Sequence, residues 1–165
     1  VQDRKKKGKT HRGYLAPRSG LLYVDYHPRR SRDGPSTRLA GYAGALQTDG
    51  YTVYPSAFGS NPQITLYGCW AHARRYFYKA RDVAPVKEWV RQALRRILGL
   101  YELACDGAYE FERLSVRQEL SVPIPEAHRD SSEKCWTRAV DYTLGRWPSL
   151  CRYTGEGRVD IDNNA

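Results

Sequence analysis

Two hydrophobic rhythms divide the chain. Before residue 68 the apolar positions come in short runs closed by glycine or proline, the pattern of strands and turns. Leu21-Leu-Tyr-Val-Asp-Tyr26, between Gly20 and Pro28, predicts a strand. Arg29-Arg-Ser-Arg-Asp-Gly-Pro35 predicts a polar loop, and residues 36–42 a short helix lying across a sheet. Ala45-Leu-Gln-Thr-Asp49, stopped by Gly50, predicts a second strand, and Ile64-Thr-Leu-Tyr67, stopped by Gly68, a third.

Beyond Gly68 the period becomes helical. Trp70, Ala73 and Phe77 share one face of a helix over residues 69–81, and Pro85 stands where the first turn of the next helix belongs. There Val86, Trp89, Val90, Ala93, Leu94, Ile97, Leu98, Tyr101 and Ala104 form one stripe. Arg91, Arg95 and Arg96 fall off it, as on the solvated side of a core helix. Pro123 and Pro125 mark a loop. Ser131 or Ser132 then caps a helix whose Trp136, Ala139, Val140, Thr143, Leu144 and Trp147 share a stripe, ending at Pro148. Strands first and helices afterwards fit a ribonuclease-H-like α/β domain among other α+β arrangements, and pattern alone does not choose between them.

Charge narrows the partners. The 165 residues carry a net charge of +9, with a pI near 9.5, which points to a polyanion. The run Asp3-Arg-Lys-Lys-Lys-Gly-Lys-Thr-His-Arg12 reads as a solvated basic tail or as a phosphate contact, so residues 1–12 are expected to be mobile and residues 13–165 to form one domain. No apolar run approaches the roughly 18 residues of a membrane span. Cys69, Cys105, Cys135 and Cys151 form no Cys-x-x-Cys pair, so reduced thiols and an intracellular address are expected. The sequence holds no Met and begins with Val, which predicts a processed product or a piece of a longer protein.

The most informative cluster is Leu46-Gln-Thr-Asp-Gly-Tyr-Thr-Val-Tyr54, where a strand ends in Asp49 and turns at once through Gly50. Open α/β sheets place ligand and metal contacts at the carboxyl ends of their strands. Asp-Gly is also an ordinary turn pair, and on these residues alone the turn is the better reading.

Three further stretches supply context: Tyr26-His-Pro-Arg-Arg-Ser-Arg-Asp-Gly-Pro35, Gly68-Cys-Trp-Ala-His-Ala-Arg-Arg-Tyr-Phe77 and Gly155-Glu-Gly-Arg-Val-Asp-Ile-Asp-Asn-Asn-Ala165. With the Asp49 cluster, and with Arg138-Ala-Val-Asp-Tyr-Thr-Leu-Gly-Arg-Trp147, they resemble the insertion-sequence-66 family of bacterial transposases over nearly the whole chain. The resemblance implies a DDE transposase with a ribonuclease-H-like core: a mixed sheet with a helical insertion, strands to about residue 68 and mainly helices from 69 to 148. Three carboxylates would hold two Mg2+ (or Mn2+) ions about 3.5 to 4 Å apart, one sharpening the attacking oxygen and one taking up charge on the leaving oxygen. Asp49 is by similarity the second carboxylate, catalytic and metal-ligating. The first Asp and the final Glu would lie outside the two ends, leaving the core incomplete.

The same resemblance assigns His72, Arg74 and Arg75 to DNA phosphate contact, a reading balanced against solvated arginines on an anchored helix. Arg29, Arg30 and Arg32, with His27, form a second candidate phosphate patch, although the family usually has Ser at position 29. Asp162, Asn163 and Asn164 read as the cap of the helix carrying the missing Glu, in preference to a metal pair of Asp160 and Asp162. Asp25 reads as a surface or strand-edge residue. Ala16-Pro17 stands where the family continues a strand, so a shortened strand is expected, and a decayed copy is the alternative to an active one. The implied partners are double-stranded DNA, at transposon ends and target, other proteins of the element, and further copies in an oligomer, with no membrane, in the nucleoid-associated bacterial cytoplasm. The alternative function is a non-catalytic, basic DNA-binding remnant.

Overall fold

The computed structural model describes residues 10–16, 19–27, 32–105, 132–155 and 159–162. It divides into two compact units, one built from residues up to and including Gly44 and from 51–64, the other from 45–50 and the chain from Thr65 to Asn164.

In the first unit, β1 (Thr10–Ala16) and β2 (Leu21–His27) form an antiparallel hairpin whose register runs from Thr10 opposite His27 to Ala16 opposite Leu21. β1 therefore takes residues 10–12 from the expected basic tail. All seven of its residues pair, and the strand ends just before Pro17, which has no N–H for the ladder. A helix, α1 (Asp33–Arg38), lies three residues earlier than the sequence predicts, because Pro35 suits a first turn and the chain leaves the helix before Gly41, at φ 76°. Asp25, read as a surface or strand-edge residue, does lie on a strand of a two-stranded sheet but is buried there, and its carboxylate accepts a hydrogen bond at 3.3 Å from the Arg38 guanidinium. The same guanidinium lies over the Tyr23 ring. A second short helix, α2 (Val53–Phe58), packs near α1.

β3 (Gly44–Gln47) and β4 (Ile64–Tyr67) pair with each other. Gly44 N donates to Gln63 O and Thr48 N to Tyr67 O, so the two strands advance together and the pair is parallel. Both strand orientations occur, as a mixed sheet requires, but among the described residues the strands pair two by two and not in one sheet.

The second unit is built on helices. α3 (Trp70–Lys79) buries Trp70, Ala73 and Phe77, the face its spacing predicts, and packs against α4 (Lys87–Cys105) and α5 (Lys134–Leu144). A 3₁₀ turn over Ala84–Val86 places Pro85 ahead of α4. The α4 stripe departs from expectation in one place: Leu98 is 51% exposed while Leu100, not predicted, is 1% exposed. Around a 3.6-residue turn, Val86, Val90, Ala93, Ile97 and Leu100 follow the centre of the buried face and Leu98 falls beside it. Trp136 fills the centre of the core, with its ring 5.8 Å from Phe77 and 5.7 Å from Trp89.

At the start of α5 the cap is Glu133, whose carbonyl accepts from the Thr137 amide and hydroxyl; Ser132 stands outside the helix. Pro148 does not end α5 but opens α6 (Trp147–Cys151), since the first turn of a helix has no use for the missing N–H. Trp147 meets Trp70 edge-on at 5.8 Å. The expected loop around Pro123 and Pro125 and the side chain of Ala104 lie outside the described residues.

Candidate active site

Asp49 stands two residues beyond β3, exposed, in a turn held from α5. The Tyr142 hydroxyl donates to the Asp49 carbonyl at 2.7 Å. Arg146, one turn further along the helix, donates to the Gly50 carbonyl from Nη2 at 2.6 Å and from Nε at 3.2 Å. The guanidinium also lies 4.2 Å from the Tyr142 ring centroid, and Tyr142 stacks on Tyr76 of α3 at 4.4 Å. Gly50 has φ 80°, and a Cβ there would come within 2.6 Å of the Tyr142 hydroxyl. The turn therefore requires glycine twice over, for its left-handed backbone and for the close approach of α5. Burial pushes the Tyr142 hydroxyl up to about 12, so it stays a proton donor at neutral pH.

The C-terminal stretch is drawn to the same place. Gln47 Nε2 donates to the carbonyls of Gly68 and Asp160, and Trp70 N, opening α3, donates to Ile161 O. Asp162 follows, half-buried, its carboxylate accepting from the Tyr101 hydroxyl at 2.6 Å. Burial and that hydrogen bond raise the Tyr101 pKa, which keeps the phenol protonated.

His72 sits between these groups in the first turn of α3, half-buried. Its Nδ1 is 3.2 Å from the Cys69 sulfur. Burial lowers the imidazole pKa and the Arg75 charge lowers it further, against the opposing pull of Asp49 and Asp162. Asp49, Arg75 and Asp162 thus each interact electrostatically with His72. Arg74 and Arg75 are both exposed, and Arg74 lies over the Tyr78 ring at 5.8 Å.

Arg32 is exposed just before α1 in the other unit, and Arg29, Arg30, Asn163, Asn164 and the side chain of His27 lie outside the described residues. Asp160 is exposed and enters the site through its carbonyl alone. Among the described residues no three His, Cys, Asp or Glu side chains gather as a metal site. Gln47, Cys69, Tyr76, Tyr101, Tyr142 and Arg146 were not foreseen as site residues. The spacing of Tyr142 and Arg146, four apart on one helix face, was the available signal for the last two.

The whole chain, residues 1–165, matches the model of the Transposase IS66 family. The chain belongs to that family. It is similar to two uncharacterized proteins of Sinorhizobium fredii (strain NBRC 101917 / NGR234): y4qI, 32% identical over 87% of this chain, and y4hP, 31% identical over 93%. The matched regions cover 30% and 32% of those proteins, so the chain spans about a third of the length of these relatives. No solved structure matches it. A mixed α/β fold accompanies that membership, and no helix among the described residues is long and apolar enough to cross a membrane.

Proposed function

We propose that the chain forms part of the catalytic domain of a DDE transposase with a ribonuclease-H-like core, which cleaves double-stranded DNA at transposon ends and transfers the strands to a target. The observation that carries the reading is the anchoring of Asp49. Its carbonyl and the next one are held by two α5 side chains, which fixes the backbone from which the carboxylate projects. A carboxylate that must meet a divalent ion does need a fixed backbone, because misplacement of a ligand weakens the site.

The donor chemistry fits Mg2+ or Mn2+ only in part. Asp49 offers the carboxylate oxygen such ions prefer, but no three ligating side chains gather among the described residues. Two-ion chemistry is therefore proposed only for a site completed by carboxylates beyond these described residues. Here the chain's own residues orient and bind: Tyr142 and Arg146 hold the Asp49 turn, while His72, Arg74 and Arg75 offer hydrogen bonds and positive charge to phosphate. Arg29, Arg30 and Arg32 would extend the phosphate contacts, and Asp162, Asn163 and Asn164 would cap a following helix. Other copies of the transposase and other proteins of the element are the proposed protein partners, in the nucleoid.

The test is Asp49→Asn in the full-length transposase that contains this sequence. The substitution keeps size and turn-forming ability but removes the charge a divalent ion requires. Strand transfer should be abolished while melting temperature and DNA affinity stay close to those of the parent. Transfer within a few-fold of the parent would make Asp49 a turn residue and overturn the reading in favour of a non-catalytic DNA-binding role.

A further inference from the structure

We propose that Cys69 is a positioning residue that holds His72 as the neutral Nε2–H tautomer, so that α3 presents a fixed, uncharged N–H donor within electrostatic reach of Asp49 and Asp162. The inference rests on the Proposed function only in the use made of that donor, a hydrogen bond to a phosphate oxygen of DNA.

The geometry begins at the helix start. Cys69 is the extended residue before α3, with φ −116° and ψ 117°, and makes no side-chain bond to the α3 backbone as a cap. Its sulfur instead meets His72 Nδ1 at 3.2 Å, three residues on. Cys69 is 1% exposed, so water does not compete for this contact. A neutral imidazole has one N–H and one acceptor nitrogen, and the contact must choose between them. A thiol is weak both as donor and as acceptor, but its proton is far more acidic than an imidazole N–H and Nδ1 is far more basic than thiol sulfur, so the stronger arrangement has the thiol donating to Nδ1. The ring proton is then on Nε2. Burial and Arg75 favour the neutral ring over the pull of Asp49 and Asp162.

Neutrality matters to the neighbouring carboxylates. An imidazolium would attract Asp49 and compete with a divalent cation for it; a neutral ring donates a hydrogen bond without adding charge. Cys69 thereby serves the site without touching DNA.

Nitrogen NMR of the chain labelled with 15N-histidine reads the tautomer directly. The four histidines are distinguished with a His72→Gln control. At about pH 8, where the ring is neutral, the parent should show a pyridine-type Nδ1 and a pyrrole-type Nε2. Cys69→Ser retains a donor and should match the parent; Cys69→Ala should move both resonances toward tautomer-averaged positions. A pyrrole-type Nδ1 in the parent, or a Cys69→Ala spectrum identical to the parent's, overturns the proposal. Circular dichroism reports folding, and if the alanine variant unfolds, Cys69→Val, close to cysteine in size and without a donor, replaces it under the same two criteria. A short DNA duplex is then added: a shift at His72 Nε2 supports the donor role, and no shift removes that role while leaving the DNA-free tautomer result standing.

Discussion

The Tyr142 hydroxyl donates to the main-chain carbonyl of Asp49 across 93 residues of sequence, at 2.7 Å. One phenol thus joins α5 to the turn that carries the candidate catalytic carboxylate, and its ring is clasped between Tyr76 and Arg146.

Tyr142→Phe keeps the stacked ring and removes only that bond. A loss of about 1 kcal/mol is expected, the ordinary net worth of one hydrogen bond, with faster amide hydrogen exchange at Gly50 and Tyr51. The native phenol's pKa is raised to about 12 by burial, above the usual value of about 10 for a free tyrosine. Folding therefore favours the protonated form: its contribution is fully present below about pH 10 and is lost as pH rises toward 12. Denaturant titrations through this window should show a steeper loss of stability in the parent than in the Phe variant.

Gly50→Ala should be worse than a surface Gly→Ala exchange. The backbone there is left-handed, at φ 80°, and the new methyl would meet Tyr142 and Arg146. A cost of about 1 to 2 kcal/mol follows from the backbone alone, read as a lower urea midpoint. Gly20→Ala, at φ 64° but with nothing within 4 Å of where the new Cβ would stand, separates the two effects, since it carries the backbone strain without the collision.

Leu98 and Leu100 of α4 make a matched pair. Leu100→Ala, in the core, should cost about 2 to 5 kcal/mol. Leu98→Ala, at a half-exposed position, should stay within about 0.5 kcal/mol. Equal losses would refute the placement of the buried face.

Duplex binding by the 165-residue chain should be weak, tolerant of sequence and steeply salt-dependent, the slope of log K against log salt changing by roughly 0.9 per phosphate neutralised. Arg74→Ala and Arg75→Ala should each weaken binding and flatten that slope. Binding indifferent to salt would exclude charge as its driving force.

The sequence by itself determined the family, through several motifs in order, and the elements whose periodicity is strong. β4, α3 and the burial of Trp70, Ala73, Phe77, Trp136, Ala139, Val140 and Thr143 were legible because apolar spacing reports directly which face leaves water. It also singled out Asp49, His72 and Arg75, because they fall within recognisable local runs. What only the tertiary structure decided are relations between distant segments. The α5 hold on the Asp49 turn, the docking of residues 159–162 beside α3 and the Tyr101 bond to Asp162 join residues 61 to 96 positions apart. Local periodicity carries no record of such pairings. The same reason hid the Asp25–Arg38 pair: a lone acid on a strand looks exposed until the helix that neutralises it is folded beside it. Helix ends were poorly legible: Pro148 opens α6 where the sequence predicts the end of α5, and Glu133 closes its turn through a backbone carbonyl that every residue possesses.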